Sequence, residues 1–326
     1  MGAPSTSRVW AALGAVYVIW GSTYLAIRYA IAADTGDVGL PPLLMSGVRF
    51  MLAGSLMLAW AWRRPHRDGR PDPIGWPQWR SAAIVGTALL LGGNGFVVLS
   101  EERISSGLAA VLVTTMPLWL SLLAFLIGGQ RLSRRAVTGL VLGFLGVVVL
   151  VDPRGESVDR IGVAMTLTAA FSWACGSFYS GRSQMPRRPL VMTGMQMLCG
   201  GAAMTVVSVL TGDAAELDLA AVDTRAWIAW VYLVVFGSLI AFTAYVWLLA
   251  NVRLSLVGTY AFVNPVVAVA LGALPPLREP IGTPVLLGSA VIVTGVALIV
   301  SSRSTPPTPE PLDDELAREA DVTRVA

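Results

Sequence analysis

Arg49 is the residue whose position most demands a partner. It lies seven residues into an apolar run that opens at Pro42. At the helical rise of 1.5 Å per residue, that is roughly 10 Å inside a hydrocarbon core about 30 Å thick. Reaching back to the interface from that depth strains the side chain, so Arg49 is expected to face an interior or a cavity. A guanidinium there suits carboxylate or phosphate, which it binds through paired hydrogen bonds. Arg28, in WGSTYLAIR, sits near the end of the first apolar run and can reach the interface. The two arginines would form a positive rim at one end of a central cavity. The position matching Arg49 in the second half of the chain is Gln196, so the rim is one-sided.

Trp20, Tyr24 and Arg28 are four residues apart and share a helix face. Such a stripe suits a solvated cavity wall; aromatic packing between helices is the competing reading. Asn94, Trp173, Gln196, Tyr245 and Asn264 are further polar or amphipathic residues inside apolar runs, and all are candidates for binding solute. Hydrogen bonding between helices is their plainer role. Pro117 in TTMPLW and Pro265 in FVNPVV are candidate gating positions. Proline frees a backbone carbonyl and bends a helix, and such breaks often line a transport path.

These residues are carried by a membrane protein. The chain has 326 residues, 55% hydrophobic and 13% charged, against about 25% charged for soluble domains. Mean hydropathy is +0.68. Every basic residue is arginine, which excludes a lysine Schiff base. Cys175 and Cys199 lie in apolar runs and read as small hydrophobes. The one histidine, His66, falls in an arginine-rich loop. No acid sits at the middle of a span, so proton coupling would use Glu101, Glu102 or Glu279 near the ends, or the substrate itself, and facilitated export without coupling is the other reading. No Walker-type phosphate loop and no spacing of metal ligands appears, so neither direct ATP use nor a cofactor is expected. An intramembrane enzyme would need His, Asp or Glu within the spans.

Ten apolar runs are predicted to span: about 9–31, 42–62, 81–100, 107–127, 136–152, 161–181, 190–211, 227–250, 256–275 and 282–302. The first is too long for the apolar core of a signal peptide. Alternate loops carry Arg63, Arg64, Arg67, Arg70 and Arg80, then Arg131, Arg134 and Arg135, then Arg182, Arg187 and Arg188. Arginine-rich loops stay in the cytoplasm, which predicts a multi-pass inner (cytoplasmic) membrane protein with both termini cytoplasmic. Segments 1–8 and 303–326 are the terminal extensions. The second is rich in proline and acids and is expected to be disordered.

The halves repeat. GLVLGFLGV at Gly139–Val147 parallels GSAVIVTGV at Gly288–Val296, and SGVRFMLAG at Ser46–Gly54 parallels TGMQMLCGG at Thr193–Gly201. Trp20 parallels Trp173, Pro117 parallels Pro265, and Gln130 matches Glu279. Five spans per half means that the second half inserts upside down. The predicted fold class is therefore all-α, with two inverted five-helix repeats over 9–152 and 161–302. Inverted repeats are an architecture of secondary transporters.

WGSTYLAIR, the PP…RFMLAG segment at Pro41–Gly54, the two proline helices and the glycine-rich ends of both halves resemble the EamA family of the drug/metabolite transporter superfamily. The resemblance covers about residues 9–302. It implies a ten-helix exporter working by alternating access, often for amino acids or other small metabolites; Arg49 biases the expectation toward carboxylate-bearing or amphipathic solutes, drugs among them, and a monomer or homodimer is expected. Gln130 departs from the family, which frequently has an acid there. A membrane receptor or scaffold without solute flux is the alternative reading. A small-molecule substrate and the lipid bilayer are the expected partners, with no nucleic acid.

Overall fold

The computed structural model describes residues 5–32, 37–63, 74–129, 132–151, 159–252, 254–257, 259–274 and 282–301. His66, Gln130, Glu279 and the 303–326 tail lie outside the described residues. The principal helices are α1 Thr6–Ala30, α2 Pro42–Trp62, α3 Trp76–Ser100, α4 Ser106–Leu126, α5 Arg134–Val151, α6 Arg160–Ser180, α7 Pro189–Thr211, α8 Thr224–Leu248, α9 Tyr260–Gly272 and α10 Thr283–Ser301. Among the described residues no strand occurs, and eight helices are long and apolar enough to cross a membrane. The other two are α5, with two arginines in its first turn, and α9, which is only 13 residues long.

Local signals set the helix ends. Pro42, Pro77 and Pro189 stand in the first turns of α2, α3 and α7, where a missing N–H costs nothing. Asp159 and Asp223 cap α6 and α8 by accepting backbone N–H groups. With Pro77 and the Asp223 cap, α3 and α8 start several residues before the apolar runs do, at Trp76 and Thr224. The α4 helix breaks at Thr114–Thr115. Pro117 is therefore in the first turn of the second segment, not in a helix interior. The Thr114 and Thr115 hydroxyls donate to the Val111 and Leu112 carbonyls at 2.6 and 2.7 Å, beside the backbone N–H groups that the same carbonyls accept. Pro265, in contrast, lies inside α9.

Glycine governs how the two halves meet. A methyl group on Gly54 would come 2.7 Å from the Gly194 carbonyl, and one on Gly201 would come 2.8 Å from that of Gly47. Gly47 thus faces Gly201 while Gly54 faces Gly194, so α2 and α7 run antiparallel. On α5 and α10, a methyl on Gly139 would come 2.5 Å from the Gly295 carbonyl oxygen, and one on Gly146 would come 3.0 Å from that of Gly288. That pair is antiparallel too. Small residues let backbones approach where lipid offers no hydrophobic drive to association. The Gly139/Gly143 pair is used within the chain, since Gly143 abuts Leu118 and Gly295.

Both α3 and α8 contain a π-helical stretch, Thr87–Gly95 and Leu233–Ile240. A π turn leaves backbone out of the regular ladder and often marks a functional position.

Candidate functional site

The second π stretch organises the larger cluster of candidate residues. Arg49 is 3% exposed. Its Nε donates to the Ser238 hydroxyl at 2.8 Å, and its guanidinium carbon lies 4.6 Å from the centre of the Phe50 ring. Its Nη1 is buried and has no hydrogen-bond partner among the described residues. A buried donor left unpaired is costly, and a charged one more so. The neighbour that admits this side chain is Gly237, where a methyl would lie 3.4 Å from Arg49 Nη2 and 3.1 Å from Thr23 Cγ2.

Trp20 closes on the same stretch. Its indole N–H donates to the Gly237 carbonyl at 3.2 Å. Its ring meets Phe242, Tyr245 and Tyr260 at centroid distances of 5.0, 5.1 and 5.3 Å, a spacing at which aromatic pairs attract beyond their buried area. Asn264 joins from α9. In the amide orientation that satisfies its neighbours, it donates to the Tyr17 and Tyr260 carbonyls at 3.2 Å. The Tyr17 and Thr259 hydroxyls are hydrogen-bonded as well. Ser22 and Thr23, polar residues in an apolar helix, donate to carbonyls three residues back, at 2.9 and 2.6 Å.

The α1 stripe is continuous but serves three purposes. Trp20 joins the aromatic cluster. Tyr24 packs against the apolar cluster that includes Ile104, Leu108 and Leu112. Arg28 is buried and holds the turn after α3, where its Nη1 donates to the Glu101 and Ile104 carbonyls at 2.8 and 2.6 Å. Arg28 therefore has backbone to bind, whereas Arg49 keeps a donor in reserve.

Asn94 and Trp173 lie elsewhere, the first within the first π stretch and the second against its Gly93. A methyl on Gly93 would stand 3.1 Å from Trp173 Cε3. Ser172 fills the space beside Gly92 and donates to the Ala88 carbonyl at 2.9 Å. The Asn94 Oδ1 is buried without a partner among the described residues. Gln196 is buried on α7; its side chain approaches Met185 Sδ at 4.0 Å and its backbone abuts Gly86. The two proline helices pack together, with Gly107 of α4 against Val269 of α9.

Sequence reasoning missed Gly237, Ser238, Phe242 and Tyr260. A signal existed for the first two. The GS pair Gly237–Ser238 stands in α8 where the GN pair Gly93–Asn94 stands in α3. Trp119 was also missed; its ring meets Phe144 and Phe171 at 4.9 and 5.3 Å, and its indole N–H has no partner among the described residues.

Among known proteins, the chain is 37% identical over 262 residues to an uncharacterized inner membrane transporter, YedA, of Escherichia coli K12, covering 80% of each chain. It is 25% identical over 298 residues to a probable amino-acid metabolite efflux pump of the same organism, covering 87% of this chain and 92% of that one. A crystal structure shares the fold at a TM-score of 0.58 and 22% identity, over 90% of this chain and 98% of that one. The EamA-like transporter family matches twice, at residues 8–152 and 160–301. The chain belongs to the EamA-like transporter family.

Proposed function

We propose that this membrane protein is a secondary exporter of small carboxylate-bearing metabolites, and that solute passes between its halves by alternating access. The observation that carries this reading is Arg49: a buried guanidinium with one donor unpaired, beside a four-ring aromatic cluster. A carboxylate would satisfy that donor, and the rings of Trp20, Tyr245 and Tyr260 would cover an apolar body. Asn94, with an unpaired acceptor, and Trp173 form the counterpart at the other π stretch. Tyr24, Arg28, Gln196 and Asn264 hold these two groups in register.

The halves are proposed as inverted five-helix repeats with ten crossings, α5 and α9 completing the count. The antiparallel packing of α2 on α7 and α5 on α10 supports this, as does the family's double match. The π stretches, the α4 break before Pro117, and Pro265 are the positions at which helices would bend. The Escherichia coli relative described as a probable amino-acid metabolite efflux pump supports the substrate class.

The test is tolerance and efflux. Cells expressing the chain would be challenged with inhibitory amino acids and dipeptides while the medium is profiled by mass spectrometry. Raised tolerance with extracellular accumulation of a carboxylate-bearing solute is expected. Unchanged tolerance together with an unchanged medium would overturn the reading.

A further inference from the structure

A second site lies away from the aromatic cluster. The start of α3 and the end of α6 enclose an open cavity of about 380 Å³, lined by Trp76, Arg80, Ser81, Tyr179, Arg182 and Gln184 among others. No acid lines it. Neither arginine pairs with a carboxylate among the described residues; the Arg182 guanidinium instead stacks 3.6 Å from the centre of the Phe178 ring and donates one N–H to the Phe178 carbonyl at 3.2 Å. This contact fixes the plane of the guanidinium and leaves its other donors for a ligand. The α3 N-terminus, with no acid in its first turn, adds a positive dipole end beside them.

The position of the cavity identifies its ligand. Trp10, Trp62 and Trp76 are 60%, 63% and 77% exposed, and they stand near the start of α1, at the end of α2 and at the start of α3. Exposed tryptophans at successive helix ends mark a membrane–water interface. Arg8, Arg63, Arg80 and Arg182 cluster at the same ends. A cavity at that level is met by lipid headgroups before any soluble ligand. Basic pockets between helices at the cytoplasmic interface suit anionic phosphates.

We propose that this cavity binds the phosphate of an anionic phospholipid headgroup, with Arg80 and Arg182 as its cationic ligands and Trp76 packed along the glycerol. The shared chemistry is a glycerol phosphate ester, which a soluble metabolite could also present.

The test is native mass spectrometry of the full chain in detergent, supplied with phosphatidylglycerol or phosphatidylcholine. Wild type is expected to retain phosphatidylglycerol over phosphatidylcholine. The R80Q/R182Q double variant should lose about tenfold in that retention, whereas R80K/R182K keeps most of it and R103Q, at an exposed ion pair elsewhere, keeps all. An unchanged thermal midpoint for R80Q/R182Q in phosphatidylcholine alone establishes that it is folded. Equal retention by wild type and R80Q/R182Q would overturn the site. Displacement of the lipid by free glycerol phosphate would overturn its assignment to lipid.

Discussion

The two π-helical stretches share a backbone device and differ in what they admit. Thr87–Gly95 in α3 is opened by Gly92 and Gly93, and receives Ser172 and Trp173 of α6. Leu233–Ile240 in α8 is opened by Gly237, and receives Trp20 of α1 and Arg49 of α2. A tryptophan closes on a glycine in both. Charge is present in only one. Under the proposed function, the two similar bends belong to a near-symmetric frame, and Arg49 gives only one of them a handle for an anionic solute. Symmetry of the frame and selectivity of the site are thus separable, and substitutions can address each alone.

The largest effect should come from the charge. Arg49→Ala is expected to lower efflux of carboxylate-bearing solutes by at least about tenfold, as for truncation of a buried charge partner. Gln196→Ala, its uncharged counterpart, should change efflux by less than about twofold. Parallel efflux rates for the two variants separate the sites; equal losses would erase the distinction. Next in size is a steric change to the frame. Gly92→Ala forces its methyl onto Ser172, displacing the hydroxyl from the Ala88 carbonyl. The expected cost is about 1–3 kcal/mol, read as a lowered thermal midpoint in detergent. Gly237→Ala meets only ordinary or slightly tight contacts at Thr23 and Arg49, and should cost less in the same assay.

Smaller again is the indole hydrogen bond. Trp20→Phe removes the N–H donated to Gly237 and should destabilise by about 1 kcal/mol. Trp173→Phe, whose ring makes a packing contact with Gly93, should cost less. The smallest effect is electrostatic and lies at a helix start. The N–H of Gly162 holds the Asp159 carboxyl below the ordinary carboxylate range against desolvation, with help from the Ile161 N–H and Arg103. A depressed native pKa contributes stability that is full above the unfolded value and is lost as pH falls through the native one. Asp159→Asn should therefore lower the thermal midpoint at neutral pH, and the gap from wild type should close as the solution is acidified below the carboxylate range.

Much of this frame was legible in the sequence, because apolar runs and glycine spacing act through backbone geometry alone. Runs at 42–62 and 190–211 became α2 and α7 nearly residue for residue. Gly139 and Gly146, matched by sequence to Gly288 and Gly295, mark the α5–α10 contact, although each packs against the other's counterpart. The π stretches were not legible, since LLLGGNG and VVFGSLI carry the same apolar pattern whether the helix is α or π. Arg49 was placed in an interior from depth alone. Its partner Ser238 is 189 residues away, and no local pattern connects them. Arg28 shows the converse: depth allowed it to reach the interface, and tertiary packing gave it two carbonyls instead.

The central claim is that the two π stretches face one solute path from opposite sides. Cysteine accessibility tests it most directly. With Cys175 and Cys199 replaced by alanine, Ser238→Cys and Asn94→Cys would be exposed separately to a membrane-impermeant maleimide in right-side-out and inside-out vesicles. A shared path predicts labelling of both Ser238→Cys and Asn94→Cys, each slowed by a transported carboxylate-bearing solute. Labelling of neither, or labelling that the solute leaves unchanged, would contradict it.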